Sequence, residues 1–585
     1  MRRDAAVLVW IGLLSWSTSC RTGSSLDSGP RTATIDYRVR YQKNEGHPDL
    51  QVTIKIRGLD PESSNVTLSL EDWGEWSDLD AYYLCALQGV PPLAPCEGSP
   101  AEFALDLPER WDGSAQVSYR IPLVPHGSRV QQSHGLLPWQ GPTYARWFTV
   151  NTLMRVLVDG EPLIAHRTIE FAAPSSMPIA TGLGGVSHGR QVVTMGHDID
   201  NALVYVGEVG AHCRSQAGDL VFEVAQLGGG ANINEEVLHW VEKYVGSCGR
   251  TTGRTLSEPV RLFLVDEGGG GVRTDHGQEV AIGKDGPRIA RSPYFKQTVA
   301  HELFHNWIGG FLQAPDESTI WFSEGFTDYL SLWHMASIGE VSRDWFAERM
   351  MEIDEEARRE SSLGKIAFAD PDVDWRDGDG PNETMAYKGG ASLAFVLDVE
   401  LREGGKTGLV QMIRDLMAKG GEYDLGSLCQ WMESQGLGDF CAHHVRGREI
   451  PDVRAALLEA GFVEGRIEVP LTYLGIATDS EQLICKVTDL DPQGPAANAG
   501  LKVGDQIAGY FPSRDGRPEV AESVTTPYRF LLNGLEPSVT GWYLDVTRGD
   551  QALQIRLNPE IIPGGYVPGY RAGGGKLDAF FDFRP

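Results

Sequence analysis

The sequence predicts a multidomain protein. An N-terminal antiparallel β-sandwich precedes an α+β region with a helical C-terminal part, and a β-barrel-like module follows. Three observations predict this. Residues 31 to about 175 alternate apolar and polar positions and are punctuated by Gly and Pro clusters, the mark of half-buried antiparallel strands. Residues from about 176 to 465 run through short apolar strands first and helical spacings later, an α+β order. Residues 468–560 return to short strands. The implied divisions are 1–28 for a leader and linker, 29–175, 176–467, 468–560 and a tail over 561–585.

The chain has 585 residues, 41% hydrophobic and 22% charged, which is globular composition. Wholesale disorder, collagen and a multi-span membrane protein are excluded. Its 51 basic and 80 acidic residues leave a net charge of −29. That balance argues against nucleic acid and anionic membrane surfaces as partners.

The leader comes first. Arg2 and Arg3 precede the apolar run Ala5 to Leu14, and small residues lead to Cys20. A charged start, a short apolar core and small residues define a secretory signal. The segment resembles a bacterial lipoprotein signal, although Ser17 stands where such signals prefer Leu. The resemblance implies a lipid anchor at Cys20 as the membrane link, and a place in the periplasm or cell envelope. Export permits disulfides. Cys85 with Cys96, Cys213 with Cys248 and Cys429 with Cys441 are neighbouring pairs, and Cys485 is left over; connectivity stays open.

In the N-terminal region, Thr34–Tyr41, Leu50–Ile56 and Ala115–Ile121 have strand periodicity. In the next region, Leu203–Gly207 and Val260–Val265 are short apolar strands. Glu235–Val245 has helical spacing after Asn234, a suitable cap. Helices are expected over Phe295–Trp307, Ser323–Met335, Trp345–Arg358, Gly390–Arg402 and Leu409–Met417.

The chemistry sits on the first of these. Residues 301–305 read His-Glu-Leu-Phe-His. On a helix, His301 and His305 share one face and can hold a zinc ion, with Glu302 beside its water. A catalytic zinc takes three protein ligands and keeps one open position. Eighteen residues separate His305 from Glu324, inside Trp321-Phe322-Ser323-Glu324-Gly325-Phe326. Sequence and spacing resemble the gluzincin peptidases, whose third ligand is a glutamate on the next helix. That resemblance implies one zinc per chain on His301, His305 and Glu324. Asp328 stands where thermolysin-like enzymes place a carboxylate that orients a ligand histidine. Tyr387, in Ala386-Tyr387-Lys388-Gly389-Gly390, resembles the tyrosine of aminopeptidase gluzincins that donates to the oxyanion.

The C-terminal module reads Tyr473-Leu474-Gly475-Ile476, then Gly494-Pro495-Ala496-Ala497-Asn498-Ala499-Gly500-Leu501-Lys502-Val503-Gly504-Asp505. These runs resemble the carboxylate-binding loop, helix and following strand of PDZ domains. The resemblance implies a groove for the C-terminus of a peptide partner.

The order of modules resembles the glycyl aminopeptidase family, in which a β domain, a thermolysin-like catalytic domain and a PDZ domain follow one another. The resemblance covers nearly the whole mature chain and implies a zinc metallopeptidase acting on peptides or proteins. Glu302 would be the general base and Tyr387 the oxyanion donor. There is one departure. Family members place an amine-binding glutamate after a Gly-rich strand, where this chain has Gly268-Gly269-Gly270-Gly271-Val272-Arg273. Gly270, Gly271 and Arg273 are candidate substrate-binding residues, and Arg273 would repel a free α-amine. Either Glu267 or Glu279 substitutes, or the enzyme is not a strict aminopeptidase. The expected function is an exported zinc peptidase, aminopeptidase-like with altered recognition of the N-terminus. The alternative is an inactive peptidase-fold lipoprotein that binds through its PDZ module.

Overall fold

The computed structural model describes residues 33–43, 48–61, 65–70, 85–90, 92–96, 99–125, 138–195, 201–228, 234–265, 271–274, 276–281, 292–375, 380–473, 476–478, 485–514, 517–518, 522–523, 541–549, 551–558 and 560–582. The leader and Cys20 lie outside the described residues. So do Gly270, Glu267 and the loop residues Leu474 and Gly475. Two compact units result. One comprises 33–459 with 578–582, and the other Ala460–Leu577.

The first unit opens with strands β1 (Thr34–Gln42), β2 (Asp49–Arg57), β3 (Ala115–Pro122), β4 (Tyr144–Phe148), β5 (His166–Ala172), β6 (Pro178–Thr181) and β7 (Leu203–Gly207). In a six-stranded sheet, β1 lies between β5 and β2, and β3 pairs with β2. Period-two patterning sets the register. Ile35, Tyr37, Val39 and Tyr41 of β1 oppose Ile56, Ile54, Val52 and Leu50 of β2, and all eight are buried. A slip of one residue would turn both rows to solvent. The sheet is not purely antiparallel, because β1 and β5 run parallel. More than a hundred residues separate them, so no hairpin dictates their direction.

A second six-stranded sheet contains β6, β7 and β4, and a third of five strands includes Val66–Ser69 and Arg155–Val158. The Tyr37 hydroxyl donates to the Met154 carbonyl at 3.0 Å. The Tyr119 hydroxyl donates to Thr152 O at 2.7 Å. Hydrogen bonding crosses the division expected at 175, since β7 pairs with both β4 and β6. Leu203–Gly207 is therefore a strand of the N-terminal sheets and not of the α+β region that follows.

A further sheet has five strands: β8 (Val209–Ala217), β9 (Leu220–Leu227), β10 (Val260–Val265), β11 (Gly271–Thr274) and β12 (Gly277–Ala281), in the order β8-β9-β10-β12-β11. β9, β10 and β12 are mutually parallel, while β8 and β11 run antiparallel at the edges. Ala225, Leu227, Phe263, Val265 and Val272 join the same apolar core as the N-terminal sheets.

Helix α1 (Asn234–Thr252) connects β9 to β10. Then come α2 (Pro293–Phe304), a π-helical turn Trp321–Phe326, α3 (Thr327–Ser337) and α4 (Arg343–Glu360). A second π-helical turn, Met385–Gly389, leads into α5 (Gly390–Glu403), followed by α6 (Leu409–Ala418) and α7 (Leu425–Ser434). The two π turns cross closely. A Cβ at Gly325 would overlap the Cα of Gly390, and one at Gly390 would meet the Trp321 carbonyl. Only glycine at both positions permits this approach. Residues Thr327 to Ala336 of α3 are all buried. Phe580 and Phe581 of the tail cover this layer, against Phe395 and Phe346 respectively.

In the second unit, Val463–Tyr473 pairs antiparallel with Glu560–Arg571. A separate sheet runs Ile476–Thr478, Cys485–Leu490, Gln506–Arg514, Gly541–Arg548 and Gln551–Leu557. Its core gathers Val487, Ala496, Leu501, Ile507, Leu544, Val546, Ile555 and Leu557. A short helix, Pro495–Asn498, lies within the Gly-Pro-Ala-Ala run. The buried Asp505 is held by Arg548 through two contacts of 2.7 Å.

Cys429 and Cys441 form a disulfide. Cys213 and Cys248 do not pair and are free thiols, as is Cys96. Cys248 is fully buried in α1 beside Tyr244. Cys213 lies on the edge strand β8, where burial and nearby glutamates push its thiol up to about 11. The side chains of Cys85 and Cys485 are outside the described residues. No helix among the described residues is long and apolar enough to cross a membrane.

His334 of α3 is fully buried. It lies against Trp333, Phe304 and Tyr244, and neither ring nitrogen has a hydrogen-bond partner. Burial lowers its pKa to about 3. The unfolded chain takes up this proton below about pH 6.5 and the native state does not. Stability is therefore full above that pH and falls as pH drops toward 3. Chemical denaturation of His334→Leu should show a weaker acid-side loss than the parent, by up to about 4 kcal/mol between pH 7 and pH 3. At the π-turn crossing, overpacking costs typically about 1–3 kcal/mol. Gly325→Ala should lower the denaturation midpoint accordingly, and an unchanged midpoint would show that the crossing is loose.

Candidate metal centre

Helix α2 begins at Pro293, where a missing N–H costs nothing, and its last turn carries His301. His305 caps its end, with its backbone N–H bonded back to the His301 and Leu303 carbonyls. The i, i+4 spacing brings the two imidazoles together, and their Nε2 atoms lie 3.0 Å apart. Glu324 enters from the first π turn. Its Oε2 is 3.3 Å from His301 Nε2 and 3.2 Å from His305 Nε2. All three residues are buried.

Each histidine is fixed from behind. His301 Nδ1 is 2.9 Å from Asp328 Oδ1 on α3. His305 Nδ1 is 3.0 Å from the Ile308 carbonyl. Both acceptors favour the Nδ1–H tautomer, leaving the Nε2 lone pairs facing Glu324. The other Asp328 oxygen accepts from Lys388 Nζ at 3.1 Å. Tyr387 stacks on the His301 ring with centroids 6.0 Å apart and planes inclined by 23°.

Charge and geometry fit a divalent metal. Burial opposes a charged His301, yet Asp328, with Glu324 and Glu302, raises its pKa to about 10. Burial likewise works against ionisation of Glu324, and the two histidines, His305 foremost, hold its carboxyl well below the ordinary range. Asp328 is also held low against burial, first by Lys388 and then by His301. The site thus favours positive charge at the centre. Three buried carboxylates, Glu302, Glu324 and Asp328, surround the two imidazoles, and the Lys388 ammonium meets Asp328. Two facing Nε2 lone pairs repel unless a cation lies between them. Donors around a tetrahedral zinc are separated by roughly 3.3 Å, close to the three distances found here. Glu324 Oε2 makes no hydrogen bond of normal geometry, as suits a metal-binding atom.

Six of the expected site residues come together. His301, Glu302, His305, Glu324, Asp328 and Tyr387 all lie around one centre. Gly271 and Arg273 belong to β11, the edge strand that packs against α2, and the Arg273 side chain is outside the described residues. Glu279, the other acid considered for the amine, is engaged by the N-terminal sheets. Its carboxylate is taken by Arg146 Nε at 2.7 Å and by the Tyr205 hydroxyl. Sequence reasoning missed Lys388, the Ile308 carbonyl and the glycine crossing. Lys388 had a visible signal, since it adjoins Tyr387. The carbonyl had none.

Comparisons with known proteins agree with this geometry. Residues 280–413 match the Peptidase family M1 domain, which spans the candidate site. M1 gluzincins bind one zinc, and His301, His305 and Glu324 form a candidate site for one here. An aminopeptidase N family protein from Idiomarina loihiensis has a similar structure. Its TM-score is 0.64 at 15% identity, covering 94% of this chain and 100% of that one. An M1 zinc metallopeptidase from Deinococcus radiodurans aligns at a TM-score of 0.48 and 16% identity, over 72% of this chain and 97% of that one. A search of curated proteins finds no match. Residues 280–413 are therefore similar to the peptidase family M1 domain, and the chain has the fold seen in an aminopeptidase N family protein.

Proposed function

We propose that this chain is an exported zinc peptidase that hydrolyses peptide bonds, aminopeptidase-like but with altered recognition of the substrate N-terminus. The observation that carries the reading is the buried His301–His305–Glu324 convergence, with Glu302 and Tyr387 beside it. Zinc held by these three residues supplies Lewis acidity toward a water and a scissile carbonyl. Glu302 takes the proton of the attacking water and returns it to the leaving amine. Its burial keeps that carboxylate from bulk water. Tyr387 donates its hydroxyl proton in a hydrogen bond to the oxyanion of the tetrahedral intermediate. Its stacking on His301 holds the ring beside the metal.

The recognition side rests on β11. Arg273 stands on the edge strand where the related peptidases carry an acid for the substrate amine. With Glu279 committed to Arg146 and Tyr205, a cation there favours substrates whose N-terminus is blocked or lies beyond the site. The leader with Cys20 supports export and lipid anchoring, and the glycyl aminopeptidase resemblance supports a PDZ-type module in Ala460–Leu577. The edge strand Ile476–Thr478 is where an extended peptide would add to such a module.

Glu302→Gln should retain zinc and lose peptide hydrolysis by at least about a hundredfold, read by metal analysis alongside a peptide-library digest. Undiminished turnover would sink the assignment. Arg273→Glu should raise kcat/KM for peptides with a free α-amine, relative to N-acetylated ones, by about tenfold or more, the scale of one charge-assisted hydrogen bond. An unchanged ratio would remove Arg273 from substrate recognition.

A further inference from the structure

The second π turn places two side chains on the same histidine system. Tyr387 covers the His301 ring, and the next residue, Lys388, reaches the carboxylate behind it. Asp328 is 2% exposed and divides its two oxygens, Oδ1 to His301 and Oδ2 to Lys388. A carboxylate held at one oxygen can rotate about its χ2 torsion, which is broad and soft. Held at both, it presents one direction to His301 Nδ1. The lysine side chain is itself 19% exposed, so its stem is packed and its ammonium directed. The turn that carries it is pinned to the Glu324 turn by the Gly325–Gly390 crossing. A π-helical turn of this kind is frequent at functional sites because it re-aims side chains within a helix.

We infer that Lys388 is a positioning residue for the metal: it orients His301 through Asp328 and thereby couples the Tyr387 turn to the zinc ligands. The inference rests on the zinc-peptidase reading above. It makes a counter-intuitive prediction. By charge alone, removing an ammonium from a site that binds a cation should tighten zinc. By positioning, it should loosen zinc, because partners behind a metal-bound histidine typically contribute about 10–100-fold in affinity.

The test is a double-mutant cycle on the full chain, read as zinc affinity by competition with a fluorescent chelator. Lys388→Met should weaken zinc about tenfold in the parent and less than about twofold in Asp328→Asn, because the effect passes through Asp328. Thermal melts of the metal-free proteins separate loss of fold from loss of orientation. Unchanged or tighter zinc in Lys388→Met would overturn the inference, as would an equal loss in both backgrounds. A parent that binds zinc but shows no turnover would sink the peptidase reading alone. A parent that binds no zinc would overturn both.

Discussion

Everything at the centre of this molecule follows from burying three carboxylates beside two histidines. Glu302, Glu324 and Asp328 are each at most 2% exposed. Carboxylates without compensation at such depth would be prohibitively costly. Lys388 balances one of them. The histidines bring no fixed charge unless protonated, and the field around His301 is strong enough to hold a proton well above neutrality. A divalent cation satisfies the same field and also relieves two imidazole nitrogens facing each other at 3.0 Å. The metal is thus part of the electrostatic balance of the fold as well as its chemistry. The packing of α2 against α3 is inseparable from it.

That balance depends on backbone proximity. Glu324 and Tyr387 come from two π turns some sixty residues apart, and both must reach His301. Side chains at the crossing would push the turns apart, so glycine occupies Gly325 and Gly390. The same proximity lets Lys388 bond to Asp328. The tail residues Phe580 and Phe581 then cover the far side of this layer, near Trp333, Phe346 and Phe395. Arg402 stacks over both Trp333 and Phe580.

Much of this was legible in the sequence, and the limits are physical. Strands such as Leu50–Ile56 and Val260–Val265 announce themselves because one face or both must be apolar. The metal ligands are legible because i, i+4 spacing and a downstream glutamate are short-range facts about helices. Sheet membership is a different kind of fact. Leu203–Gly207 has the composition of a buried strand, and nothing local says which sheet it joins. Its partners β4 and β6 decide that, and they lie far away in the chain. One of the neighbouring cysteine pairs fails to bond for the same reason, while Cys429 and Cys441 do bond. Cys213 and Cys248 look like neighbours in sequence, but an edge strand and a buried helix face hold them as separate thiols. The Ile308 carbonyl behind His305 is backbone, and no residue type encodes it.

The proposed hydrolytic residues and the proposed recognition strand lie on different elements of this fold. The machinery lies on α2, α3 and the two π turns, whose mutual positions are set by buried charge and glycine contact. The proposed recognition strand, β11, lies instead at an edge of the five-stranded sheet and packs against α2. The neighbouring Glu279 shows why replacement there is constrained. A carboxylate on β12 would be a candidate for a substrate amine, but Arg146 and Tyr205 claim it from the N-terminal sheets. That cluster joins the two sheet systems across their shared core, where an unpaired acid or guanidinium would be costly. Freeing Glu279 to bind an amine would break this junction. On the proposed reading, that leaves the edge strand β11, which carries Arg273, as the place where specificity would vary.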